Sequence, residues 1–118
     1  MNPYDRAYEL ARAIKASPEY QRLTETLARV KSNESAWRMV QDFRQRQAAL
    51  EMDQLLGKEV PPEEEKKLHD LYELISGYPD IRAYLEAEAI FGRLMADLQK
   101  IIAEPLAALE VEPGPAGE

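Results

Sequence analysis

The 118-residue sequence predicts an all-α protein, an elongated antiparallel helical bundle of about five helices, two of them long. Three observations predict it. Apolar residues recur at steps of three and four along nearly the whole chain, the spacing that gathers side chains on one face of an α-helix. Proline, glycine and small polar residues cluster between five such runs, at Ser17-Pro18, Lys31 to Asn33, Gly57 to Pro62 and Ser76 to Pro79. No segment of useful length alternates apolar and polar residues as a half-buried strand would.

Ala7, Leu10, Ala11 and Ile14 place a first short helix from about Tyr4 to Ala16. Ser17 and Pro18 then read as N-cap and first-turn proline. The hydroxyl accepts an orphan backbone N–H, and proline has none to lose. The second helix carries Tyr20, Leu23, Leu27 and Val30, and ends in the polar cluster Lys31, Ser32 and Asn33. The third, Glu34 to Leu56, lines up Ala36, Val40, Phe43, Gln47, Leu50 and Gln54 in alternating steps of four and three, the heptad rhythm, with Trp37 and Met39 widening the seam. Gly57 stands where a left-handed terminating residue is wanted.

Val60, Pro61 and Pro62 break the chain again. Glu63, Glu64 and Glu65 then sit in the first turn of a fourth helix, where its dipole favours negative charge. Leu68, Leu71, Tyr72 and Ile75 form its inner face, and Glu63 can pair with Lys67 outside. Ser76 to Tyr78 ends it and Pro79 opens the fifth helix. There Tyr84, Glu88, Phe91, Met95, Leu98 and Ile102 form a stripe thickened by Ile81, Leu85, Leu94 and Ile101. Pro105 removes the bond to the carbonyl of Ile101, so the helix should kink or end near Glu104, although Leu106 to Leu109 could add a turn.

Helices three and five would be rods of roughly 34 Å and 39 Å at about 1.5 Å per residue. A compact chain of this length has a radius of gyration near 13 Å, roughly. Short loops make consecutive helices antiparallel neighbours, so helix four should fold between helices three and five. Being shorter, it would leave an apolar strip on them, of the kind that marks a protein interface.

The formal charge of −7, from 15 Lys and Arg against 22 Asp and Glu, repels phosphate backbones and anionic lipid. Direct nucleic-acid binding is therefore not expected. A local exception is Arg29, Lys31, Arg38, Arg44 and Arg46, which reads as a solvated face with Arg38 and Asp42 paired, or as a docking face for an acidic partner. The chain has no cysteine, which removes disulfides and thiolate sites and fits a reducing compartment. No stretch has the ~20 apolar residues that span a bilayer, so no membrane insertion is expected. Met1 to Asp5 does not open a secretory signal, and a cytoplasmic location is expected.

His69 is the lone histidine, with Glu65 one turn before it. Half a metal site or a surface hydrogen bond would both fit, but carboxylate-bridged bundles repeat Glu-x-x-His and here Lys66 occupies the Glu position. No metal or cofactor is expected. Carboxylate pairs such as Glu86 and Glu88 read as solvating charge, and no phosphate loop or serine elbow is present. Gln47, Gln54 and Glu88 stand where leucine would give more stability, so they either set register and partner choice or drift into solvent.

Glu34-Ser35-Ala36 with Arg38-Met39, Phe43-Arg44 ahead of Gln47, Gly57, Ala87-Glu88, Lys100-Ile101-Ile102 and Pro105-Leu106 together resemble the YlbF/YmcA/YheA family of small bacterial helical proteins, most closely its YheA branch. The likeness runs from Tyr4 to about Leu109. Residues 1–109 are thus expected to form one YlbF/YheA-like domain, and residues 110–118, rich in Pro, Gly and Glu, a disordered tail. Pro61-Pro62 and that tail depart from the family pattern. The resemblance implies an elongated fold that forms dimers or higher oligomers and regulates through partners. In the YlbF and YmcA branches it implies a complex affecting competence, sporulation and biofilm formation, acting on RNA processing through a membrane-bound endoribonuclease. Their cysteine-bound iron-sulfur cluster does not carry over to a chain without cysteine.

The sequence thus leads to a non-enzymatic oligomeric regulator or adaptor, whose expected partners are itself, as a homodimer or higher oligomer, and a second candidate, another regulatory protein. The expected interface or core comprises Trp37, Val40, Phe43, Gln47, Leu50, Tyr84, Glu88, Phe91, Met95 and Leu98, centred on Phe43, Leu50, Phe91 and Leu98. The alternatives are a holdase-like or small-ligand-binding bundle and, third, a metal enzyme sharing His69 between subunits.

Overall fold

A computed structural model describes residues 2–110, and within them every element is helical: α1 Pro3–Lys15, α2 Pro18–Lys31, α3 Glu34–Leu55, α4 Pro62–Ile75 and α5 Pro79–Glu110. Side-chain caps fix three of the starts. Asn2 accepts from the Tyr4 amide at 2.7 Å, Ser17 from Tyr20 at 3.2 Å and Asn33 from Ala36 at 3.1 Å. α4 has no such cap and starts instead from Pro61 and Pro62, with three glutamates in its first turn. At the end of α3 Gly57 takes φ +76°, and the Lys58 amide reaches back to the Asp53 carbonyl at 2.9 Å. This bond closes the helix end and needs the left-handed residue that glycine supplies without strain.

The helices form two arms. α5 packs chiefly on α2, running antiparallel to it so that Val30 lies near Ile81 at one end and Tyr20 meets Phe91 further along, with ring centroids 5.9 Å apart. α3 and α4 form the second arm, a hairpin joined to the first through α2. Where the arms meet, Val30, Ala36, Val40, Phe43, Ile75 and Ile81 are buried together, and Tyr84 and Leu85 complete the core.

The molecule is 53 × 41 × 18 Å with a radius of gyration of 19.2 Å. Its thickness is under two helix diameters of about 10 Å each, so each helix keeps a solvent face. Its accessible surface is 9048 Å², whereas a compact monomer of this mass exposes about 6500 Å².

Two expectations are corrected, and one open alternative is decided. α5 lies along α2 rather than α3, because Leu68, Leu71 and Ile75 of α4 already cover the α3 seam and the α2 stripe is what remains. Of the alternatives at Pro105, the end near Glu104 is not taken and the further turn over Leu106 to Leu109 is formed, so α5 runs through Pro105 to Glu110, 32 residues in all. Residues 101–110 are all exposed, so water can satisfy the carbonyl that Pro105 leaves without a partner, and alanines and leucines around it favour helix. Glu110 therefore closes α5, and the rest of the expected tail lies outside the described residues.

Candidate interaction surface

The α3 seam divides along its length. Ala36, Val40 and Phe43 are buried at the junction of the arms, Trp37, Met39, Gln47 and Leu50 are half-buried, and Gln54 is exposed. Phe43 packs on Tyr72 of α4 with ring centroids 5.6 Å apart. Trp37 carries the Lys31 ammonium over its ring at 5.2 Å. Beyond Leu50 the hairpin tip presents Met52, Leu55 and Leu56 to solvent.

Glu88 has a partner that its sequence position does not disclose. Arg44 of α3 forms an ion pair with its Oε1, while the Tyr84 hydroxyl donates to its Oε2 at 3.1 Å. The Arg44 guanidinium also stands 6.0 Å from the Tyr84 ring centre. A carboxylate on an apolar stripe is thus satisfied by one group from the other arm and one from its own helix, one turn back.

The α5 stripe loses its cover stepwise. Ile81, Tyr84, Leu85 and Ala87 are buried, Phe91, Leu94, Met95 and Leu98 are half-buried, and nothing beyond is covered. Ile101, Ile102, Leu106 and Leu109 are 57%, 63%, 59% and 80% exposed. The cover ends because α2 begins at Pro18, opposite Ala87 and Ile90. From there α1 approaches only loosely, leaving an open groove of about 210 Å³ whose lining includes Leu10, Ala13, Ile14, Leu94 and Leu98. The sequence pattern includes Met95 and Leu98 and allows Leu106 to Leu109 a further turn, but it does not place Leu106 and Leu109 on the same face.

The basic stretch does not form one face. Arg44 turns to α5, Arg46 pairs with Asp42 at 3.1 Å, and Arg38 lies 3.9 Å from Glu34. The expected Arg38–Asp42 pair is replaced by two pairs with the acid on the N-terminal side, the orientation that the helix dipole favours. Lys67 likewise reaches Glu64 at 3.8 Å instead of Glu63; exposed partners at three and four residues differ little in energy. His69 faces Glu73 at 3.6 Å rather than Glu65. Among the described residues no group of three or more His, Cys, Asp or Glu could hold a metal ion.

Comparison with known proteins supports the family and the helical fold. The family model described as "Control of competence regulator ComK, YlbF/YmcA" matches residues 4–107. A UPF0342 protein of Caldicellulosiruptor saccharolyticus is 42% identical over 103 residues, spanning 87% of this chain and 86% of its own length. The UPF0342 protein YheA of Bacillus subtilis is 36% identical over 109 residues, 92% and 93% of the two chains. Among solved structures, YheA of Bacillus subtilis superposes with a TM-score of 0.69 at 30% identity, covering 92% of this chain and 99% of that one. A "Protein of Unknown Function (DUF964)" from Bacillus stearothermophilus gives a TM-score of 0.79 at 26% identity, covering 92% and 96%.

Proposed function

We propose that this chain, which belongs to the YlbF/YmcA family, is a non-enzymatic, homo-oligomeric regulator or adaptor that works through helix-mediated protein contacts. The family description, control of a competence regulator, supports regulatory work, and the relatives' names assign no reaction. No helix among the described residues is long and apolar enough to cross a membrane, and the reading places the protein in the cytoplasm.

The observation that carries self-association is the α5 stripe running past its own cover. Four large aliphatic side chains in its last ten residues are each more than half exposed, on a molecule whose surface exceeds that of a compact monomer by about 2500 Å². A stable interface removes about 600–1000 Å² from each partner, so one pairing fits well within that excess. In this reading Val40, Phe43 and Tyr84 are core, Trp37, Gln47 and Leu50 line the hairpin, Glu88 fixes the arms, and Phe91, Met95 and Leu98 lead from core into contact.

Sedimentation equilibrium at micromolar concentration should give a dimer or higher species. A single folded particle of 13.5 kDa would overturn the reading. The open groove between α1 and α5 favours a second reading, a holdase-like or small-ligand-binding bundle. Strong binding of an environment-sensitive dye to the native protein would favour that alternative, because a closed oligomer leaves little apolar surface free.

A further inference from the structure

We infer that α5 pairs antiparallel with α5 of a second copy about a twofold axis at Ile102, so that the last two turns of each helix enter the groove between α1 and α5 of the other. The inference rests on the self-association reading above and specifies its surface.

The first argument is the distribution of side chains around α5. At about 100° per residue, Met95, Leu98, Ile102, Leu106 and Leu109 fall within an arc of about 80°. Arg93, Asp97, Lys100 and Glu104 fall on the far side. The helix therefore offers one face without charge, continuous with the face that carries Phe91 onto α2.

The second argument is spacing. Steps of three, four, four and three separate those five residues, an order that reads the same in both directions about Ile102. A twofold contact is self-complementary: if residue i meets j, then j meets i. Reversing one helix about Ile102 sets Met95 against Leu109, Leu98 against Leu106 and Ile102 against itself. Each half-covered residue then meets an uncovered one.

The third argument is room. α1 and α2 occupy only the N-terminal two-thirds of α5, so a parallel pair would bring both copies' α1–α2 arms to the same end. The antiparallel pair puts them at opposite ends. It also delivers Leu106 and Leu109 to the groove lined by Leu10, Ala13, Ile14, Leu94 and Leu98.

The chain has no cysteine, so single cysteines placed outside the buried core test this cleanly, at the exposed Ile102 and Leu109 and the half-buried Met95. Ile102→Cys should form a disulfide-linked dimer under mild oxidation. At micromolar protein, held pairs should react on the order of 100-fold faster than free collision allows. Leu109→Cys alone should not, since its twins stand about 21 Å apart along the axis, but mixed with Met95→Cys it should form the heterodimer. Crosslinking of Leu109→Cys to itself as fast as Ile102→Cys would mean parallel helices and overturn the inference. Light scattering that shows a dimer in which Ile102→Cys does not crosslink would also overturn it, leaving self-association through another surface. A monomer would remove both.

Discussion

Arg44 of α3 and Glu88 of α5, 44 residues apart in sequence, form an ion pair between the two arms, and Tyr84 donates a second hydrogen bond to the same carboxylate at 3.1 Å. The arms otherwise meet mainly through the apolar core. The pair therefore adds a directional, salt-sensitive element where packing alone would tolerate some rotation. Both side chains are more than a third exposed, at 37% and 35%, so the contribution is modest. A double-mutant cycle of Arg44→Ala and Glu88→Ala should give a coupling of about 0.5–1 kcal/mol that shrinks in molar salt. Coupling within error of zero would mean that the arms are held by the core alone.

Phe91 is half-buried against Tyr20 at the point where the cover of α5 thins. Phe91→Ala should lower the stability measured by urea unfolding by about 2 kcal/mol, less than the full cost of truncating a buried aromatic. Leu55→Ala, at a position 83% exposed on the hairpin tip, should stay within about 0.5 kcal/mol. Equal effects at the two positions would contradict the packing of α5 on α2.

The hydroxyl of Ser76, at the end of α4, is buried without a hydrogen-bond partner among the described residues. A buried hydroxyl left unpaired is destabilising. Ser76→Ala should therefore be neutral or stabilise the protein by up to about 1 kcal/mol in thermal or urea unfolding. A loss of similar size would show that the oxygen has a partner in solution.

Pro105 lies in the solvent-exposed end of α5, away from the core. Restoring an amide there should strengthen the last turns without changing global stability, because terminal turns open locally. Pro105→Ala should raise hydrogen-exchange protection of the Ala108 and Leu109 amides by about tenfold or more, with the urea midpoint unchanged. If protection does not rise, the segment is not helical in solution.

Much of the fold was legible in one dimension. Ser17 caps one helix and Gly57 closes another, through bonds that span no more than five residues. Residue order alone suffices for such contacts. Pro105 left the helix end undecided for the opposite reason: whether a proline stops a helix depends on whether its orphaned carbonyl is buried or wet, and α5 is exposed there. Glu88 could be marked as anomalous on its stripe, but no local pattern points to Arg44 as its partner.

The five helices and the apolar face of each were determined by the sequence, because helical periodicity and end caps are short-range properties of neighbouring residues. Which stripe meets which was decided only in three dimensions. α2, α3 and α5 each carry a stripe that could pair with another, and the choice turned on α4 already occupying α3. That choice set α5 along a helix less than half its length, 14 residues against 32, and so left its C-terminal face open.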